Sequence, residues 1–317
     1  MVERGPLVLD ADGVFLDERP YWDAAIAVAL AAAGIERTAG QHAAVTAIAC
    51  DRVGLPQVAK ERGCNSNWDL AAVLVRALAD AAVTASLRAG RFEAAVVAWA
   101  TAARALRGEP LAADPLARFG VARDAAYHSI AERCEQELPR CVARSGWPTL
   151  GPAAAMCATL AALRAAGWQL GVCTGRGAED LDAALQQNGL VDAFAGGPRC
   201  DADLVDEARQ RFGAWCTGKP GPFPLLAAVL GAPAAAAVLC LDARDGWPAG
   251  VVYVGDSRAD FAMAQAVQAL GFPLRYAHVA SPATDAGTSA ALASDASVFG
   301  VFPSLAAFAA QLQAAVA

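Results

Sequence analysis

The chain has 317 residues, 56% of them hydrophobic and 18% charged, and carries a formal net charge of −7. One or two domains with an ample core are expected, since a single core stops growing at roughly 250–300 residues. The 25 basic residues are scattered, which excludes the basic stripe of a nucleic-acid surface. An anionic small substrate would therefore be held by a few local cations or a metal.

The first predicted strand is Leu7-Val8-Leu9, ending in Asp10. From Tyr21 to about Leu138 almost everything reads as helix. Ala25, Val28, Ala29 and Ala32 form one apolar face, and Leu70, Val73, Leu74 and Leu78 another. Further helices are expected over 92–106 and 121–138, with connections at Gly54, Gly63, Gly90 and Gly108. After Trp147-Pro148 the pattern alternates. A helix opening at Pro152 and ending at Gly167 leads to a strand from Trp168 to Cys173, then to a helix over 178–187. Another helix begins near Leu225. The β-branched run Val251 to Val254 reads as a buried parallel strand, followed by a helix to Leu270. Strands at 274–279 and 296–299 and a final helix capped by Ser304 complete the chain.

Alternating strands and helices predict a doubly wound parallel sheet, an α/β fold. The first strand must join that sheet across a helical insertion. The expected organisation is an α/β core of residues 1–16 and 150–317, with a helical cap over 17–149. Residues 232–250, with Asp242, Asp245 and Trp247, have no role in this reading.

The nine cysteines (Cys50, Cys64, Cys134, Cys141, Cys157, Cys173, Cys200, Cys216 and Cys240) form no C-x-x-C pair, and read as reduced buried thiols. The start of the chain has no signal-peptide pattern. Prolines break the uncharged run at 220–241, and residues 296–317 read as an amphipathic end. A soluble, cytoplasmic protein with no membrane or nucleic-acid partner is expected.

Reacting groups in open α/β sheets collect beyond the carboxyl ends of the strands, and four such positions carry suitable residues. Asp10 and Asp12, two apart, can approach one ligand: two carboxylates suit a hard cation or a nucleophile, and Gly13 allows a tight turn. Taken alone, a helix cap or solvated turn explains this motif equally well. Thr174-Gly175 offers a hydroxyl and backbone N–H groups to phosphate oxygens, although a threonine cap would look the same. Lys219 is a compact cation suited to a phosphate or a nucleophilic carboxylate; alone it would be an ordinary surface lysine. Asp256 and Asp260, in Gly255-Asp256-Ser257-Arg258-Ala259-Asp260, place two carboxylates beside an apolar strand.

These four motifs, in this order and at strand ends, resemble the haloacid dehalogenase superfamily. The matching stretches are Leu7 to Val14, Val172-Cys173-Thr174, Gly218-Lys219-Pro220 and Gly255 to Asp260. Residues 178–194 are also similar to the phosphoglycolate phosphatase and β-phosphoglucomutase branch. The resemblance covers residues 1–16 and about 150–317, and is thin over the cap.

The resemblance implies a Rossmann-like catalytic core, with Asp10 as the nucleophile that forms an aspartyl-phosphate. Asp12 would be the acid and base. Mg²⁺ would sit among Asp10, the Asp12 carbonyl and Asp256. Asp260 would orient Lys219 or a metal-bound water. Thr174 and Gly175 would bind phosphoryl oxygens, and Lys219 would steady the Asp10 and phosphate charges. The carboxylate at Asp12 argues against carbon–halogen cleavage. Arg176 is read either as a holder of a second anionic group or as a surface arginine. In the cap, Lys60, Arg62, Asn65, Asn67 or Trp68 would reach the substrate, unless this turn is merely solvated, with Asn67 or Asp69 capping the next helix. The activity implied is a phosphatase for a small phosphorylated metabolite. A sugar phosphomutase and a non-catalytic binding protein are the alternatives.

Overall fold

Leu7, Val8 and Leu9 are fully buried because β1 (Pro6–Leu9) is a central strand, hydrogen-bonded on both sides. It pairs in parallel with β2 (Gln169–Cys173) and with β4 (Val251–Gly255). Outside these lie β3 (Arg199–Cys200), β5 (Leu274–Val279) and β6 (Val298–Phe302). The order is β3-β2-β1-β4-β5-β6, and every pairing is parallel. This is a doubly wound sheet whose direction of winding reverses between β1 and β4. The crevice beyond the strand ends at that reversal is where such folds bind ligands.

The computed structural model describes residues 5–35, 38–54, 66–78, 81–104, 116, 120–241, 246–280 and 286–314. The chain divides into two compact units: Met1–Asp17 with Trp147–Ala317, and Glu18–Gly146. Within the first unit, helices Ala153–Ala165, Ala178–Gln187, Ala202–Phe212, Phe223–Leu230, Arg258–Ala269 and Leu305–Ala314 accompany the sheet. One face of that sheet and its helices share a core that includes Val8, Phe223, Leu226, Tyr253, Met263 and Tyr276. The chain leaves and re-enters this unit along adjacent paths. Leu16 bridges to Thr149, Asp17 N–H donates to the Pro148 carbonyl, and Leu150 N–H donates to that of Phe15.

The second unit is all helical among the described residues. Helices Arg19–Ala32, Asn67–Leu78 and Ala125–Ser145 carry much of its core, with Trp22, Ile26, Leu70, Leu74, Tyr127 and Cys134 buried together. Of the expected apolar faces, Ala25, Val28, Ala29, Leu70, Leu74 and Leu78 are buried, Val73 is half-buried and Ala32 is exposed.

Several boundaries differ from the sequence expectation for identifiable reasons. The Ala125–Ser145 helix runs through Pro139, since its buried stripe of Tyr127, Cys134, Leu138 and Cys141 continues past the proline. β6 starts at Val298, not at Ala296, because Asp295 Oδ1 accepts from Ser297 N and Oγ and folds that segment into a turn. β3, only two residues long, escaped the pattern. Trp247 packs on Phe272 with ring centroids 4.7 Å apart and donates to the Pro273 carbonyl, anchoring the approach to β4; Asp242 and Asp245 lie outside the described residues. Gly63 and Gly108 do too. The eight described cysteines are free thiols, and burial pushes Cys134 and Cys200 up to about 12. Among the described residues, no helix is long and apolar enough to cross a membrane.

Candidate active site

Asp10 directly follows β1, and its N–H extends the ladder by donating to the Val254 carbonyl. This fixes the carboxylate at the point where the winding reverses. Asp10 Oδ1 accepts from its neighbour Ala11 N at 2.8 Å and from Lys219 Nζ at 2.8 Å. Lys219, whose peptide to Pro220 is cis, also reaches Asp260 Oδ1 at 2.7 Å. One ammonium thus links the two carboxylates.

Asp260 is fully buried and surrounded by donors. Its Oδ1 also accepts from Tyr253 Oη at 2.5 Å, while Oδ2 accepts from Ser257 N at 3.0 Å and Ser257 Oγ at 2.5 Å. Ser257 caps the Arg258–Ala269 helix, and Asp260 closes a capping box with it. Asp256 is therefore not the cap of that helix. It lies against Gly13, where φ is +80° and an added Cβ would fall 1.9 Å from Asp256 Oδ2. Glycine is required there on both counts.

The electrostatics follow from burial. Desolvation pushes the Asp10 carboxyl well above the usual carboxylate range; Lys219 opposes this, and Asp260, Asp256 and Asp12 reinforce it. Burial would also raise Asp260, but the Lys219 charge and the hydrogen bonds from Lys219, Ser257 and Tyr253 hold it well below that range. Lys219 is likewise kept protonated: desolvation opposes the charge, and Asp10 and Asp260 outweigh it. The Asp10, Asp256 and Asp260 carboxylates can each bring one oxygen within 4.8 Å of the others. These are hard oxygen donors of the type that bind Mg²⁺ or Ca²⁺. Both Asp260 oxygens already accept from protein donors, Lys219 among them.

Asp12 and Arg176 hold the largest departure from expectation. The guanidinium Nη2 of Arg176 donates to Asp12 Oδ1, so the anion that Arg176 meets is the protein's own carboxylate. Arg176 is not a surface residue: its side chain has no exposure, and its guanidinium stacks 4.3 Å from the centroid of the Trp147 ring. Trp147 is pinned in turn by Gln187 and Asn188, which bond its backbone N–H and carbonyl.

Thr174 is buried at the end of β2, its N–H donating to the Cys200 carbonyl and its Oγ1 accepting from Arg176 N. The hydroxyl proton remains available to an acceptor. The N-terminus of the following helix is less open than expected, since Ala178 N–H donates to Asp203 Oδ2 at 2.7 Å. A phosphoryl group at this strand end would therefore rely on Thr174 and the backbone at Gly175, not on that helix terminus. No heavy atom lies within 4 Å of where a Gly175 Cβ would stand, so space alone does not demand glycine.

In the helical unit, Asn67 is buried and its Nδ2 has no hydrogen-bond partner among the described residues. Ser66 caps the helix by accepting from Asp69 N, so neither Asn67 nor Asp69 does. Trp68 Nε1 donates to Glu135 Oε1 at 2.5 Å. Lys60, Arg62 and Asn65 lie outside the described residues.

Sequence reasoning missed Trp147, Tyr253, Ser257 and the use made of Arg176. A signal existed for Ser257, since Ser257-x-x-Asp260 is itself a capping-box pattern. The others arise from distant contacts that spacing does not encode.

An α/β core of this strand order with a helical insertion after β1 is a fold shared with solved structures described as haloacid dehalogenase-like. Solved structures carry the same fold over nearly the whole chain. A Northeast Structural Genomics Consortium target aligns at 18% identity over 99% of both chains, with a TM-score of 0.65. A Bacteroides fragilis protein described as a haloacid dehalogenase-like hydrolase aligns at 13% identity over 96% of this chain and 99% of its own, with a TM-score of 0.52. A Thermotoga maritima protein described as a β-phosphoglucomutase gives 16% identity, coverage of 98% and 99%, and a TM-score of 0.50. No protein-family model and no curated protein matches the chain.

Proposed function

We propose that this chain is a magnesium-dependent phosphatase that hydrolyses a small phosphorylated metabolite through an aspartyl-phosphate on Asp10. The observation that carries this reading is the buried Asp10–Lys219–Asp260 chain of charges beside Asp256, at the reversal of the sheet.

Lys219 and Ala11 N occupy Asp10 Oδ1 and fix the carboxylate plane, which leaves Oδ2 as the oxygen for attack on phosphorus. The Asp10 oxygen–phosphorus bond forms as the ester oxygen–phosphorus bond breaks, and the departing oxygen takes a proton from Asp12. Asp12 then removes a proton from water, whose oxygen attacks the acylphosphate, releasing inorganic phosphate and free Asp10. Thr174 Oγ1 and the Gly175 backbone hold phosphoryl oxygens, while Asp260, Tyr253 and Ser257 keep Lys219 in place. Mg²⁺ held by Asp10, the Asp12 carbonyl and Asp256 would neutralise phosphoryl charge.

The test is phosphate release from a panel of phosphorylated metabolites, with and without Mg²⁺. Wild type should turn over at least one ester only with the metal, and Asp10→Asn should reduce turnover by at least about 10³-fold. Undiminished turnover by Asp10→Asn would refute the assignment. Isomerisation of a hexose phosphate without phosphate release would replace it with a mutase.

A further inference from the structure

Arg176 was expected to hold a second anionic group or to be a surface arginine, and the structure rules out the surface position. Its side chain is fully buried, its guanidinium carbon lies over the Trp147 ring, and the group it grips is Asp12. A guanidinium with no exposed surface has no direct route to a substrate phosphate. Its side chain reaches the chemistry through Asp12, whose side chain is 17% exposed and so can face a ligand. The same residue's backbone N–H donates to Thr174 Oγ1, so Arg176 also helps to aim the hydroxyl at the end of β2.

We propose that Arg176, backed by Trp147, is the positioning residue that aims the Asp12 carboxyl at the leaving-group oxygen. This inference rests on the phosphatase reading above. Three features suit Arg176 to that task. A guanidinium is planar and rigid in its donor directions, so it fixes orientation as a lysine ammonium would not. Stacking on an indole holds that plane against rotation. Trp147 cannot drift, because Gln187 and Asn188 bond its backbone on both sides. The chain of constraint runs from the Ala178–Gln187 helix end through Trp147 and Arg176 to one oxygen of Asp12.

This role has a signature that a structural or phosphate-binding arginine would lack. Proton delivery matters when the departing oxygen is a strong base, as in an alkyl phosphate, and little when it is a stable phenolate. The value of kcat/KM reports the steps up to departure of that oxygen, so the comparison is kcat/KM for glycerol 2-phosphate against p-nitrophenyl phosphate.

Arg176→Met should lower kcat/KM for glycerol 2-phosphate by about 10²-fold, within the range of general acid–base catalysis, and for p-nitrophenyl phosphate by less than about tenfold. Inhibition by inorganic phosphate should stay within about threefold of wild type. Arg176→Lys should recover part of the loss. In an Asp12→Asn background, Arg176→Met should add little, since the two act through one carboxyl. Trp147→Phe, which keeps an aromatic face, should show the same leaving-group bias at smaller size, and it carries the test if Arg176→Met fails to fold.

Equal losses on both esters, or phosphate inhibition weakened tenfold or more, would overturn the inference and leave the phosphatase reading standing. A wild-type protein that releases phosphate from no metabolite ester removes both.

Discussion

Two polar clusters in this chain, one partly exposed through Arg123 and one buried, are built from similar residues to opposite ends. In the helical unit, Asp69 Oδ1 accepts from Tyr127 Oη at 2.7 Å and pairs with Arg123 at 3.1 Å, and Arg123 donates to Tyr127 Oη at 2.7 Å. One carboxylate meets one guanidinium and one phenol, and the charges cancel. In the α/β unit, Asp260 is bound by a lysine, a tyrosine and a serine with equal completeness, but that set is joined through Lys219 to Asp10, and Asp256 stands beside it. The first cluster pairs its charges within itself. The second crowds carboxylates in low-dielectric surroundings, which pushes the Asp10 carboxyl well above the usual range and favours uptake of a proton or a cation. A closed network suits a scaffold, and a crowded one suits a ligand.

The sharpest break in this comparison would come at Lys219. Lys219→Met should cut phosphate turnover by about 10²–10³-fold, the range seen when one charge-stabilising group is removed from a hydrolase site. Turnover within a few-fold of wild type would mean that the lysine only balances Asp260.

His278, at the carboxyl end of β5, offers the next largest effect. Burial lowers its pKa from 6.5 to about 4; Nδ1 is bonded to Tyr276 Oη, and Nε2 has no hydrogen-bond partner among the described residues. The folded protein keeps this ring neutral while the unfolded chain takes up a proton below about pH 6.5. Stability is therefore full above that pH and falls as pH drops towards 4, by about 3 kcal/mol in all from this one group. Urea titrations across pH 7 to 4 should show a shallower decline for His278→Asn; equal slopes would remove His278 as the cause.

The smallest effect belongs to the helical unit. Tyr127→Phe deletes the phenol that joins Asp69 to Arg123, and should cost about 1–2 kcal/mol in urea unfolding with phosphate turnover unchanged. Lost turnover with intact stability would transfer that cluster from scaffold to site.

The α/β framework was legible because its strands carry strong periodic signals: 251–254 and 274–279 are buried parallel strands by composition alone. Asp10 and Asp256 could be grouped because each directly follows a strand, and Asp260 because it opens the next helix; Lys219, in the turn between the 202–212 and 223–230 helices and not at a strand end as expected, was legible only through the Gly-Lys-Pro resemblance. Arg176 was not legible, since its meaning depends on an indole from the returning chain and a carboxylate on another strand's loop. Within the cap, the turn at 60–69 drew attention for its polarity. Of it, Asn67 and Asp69 are buried and Trp68 is bonded to Glu135, contacts made by packing between helices far apart in sequence.

The paired paths at Leu16 and Thr149 have a consequence for the history of such a chain. Because the outgoing and returning segments are hydrogen-bonded to each other, the intervening sequence is, for the sheet, a loop whose ends are already joined. Doubling the length of such a loop adds only about 0.6 kcal/mol of closure entropy. Whole helices can be gained, lost or rewritten between these two points at little thermodynamic cost to the strands that hold Asp10 and Asp256. Two neighbouring backbone segments thus let the sheet tolerate changes of length in what lies between them.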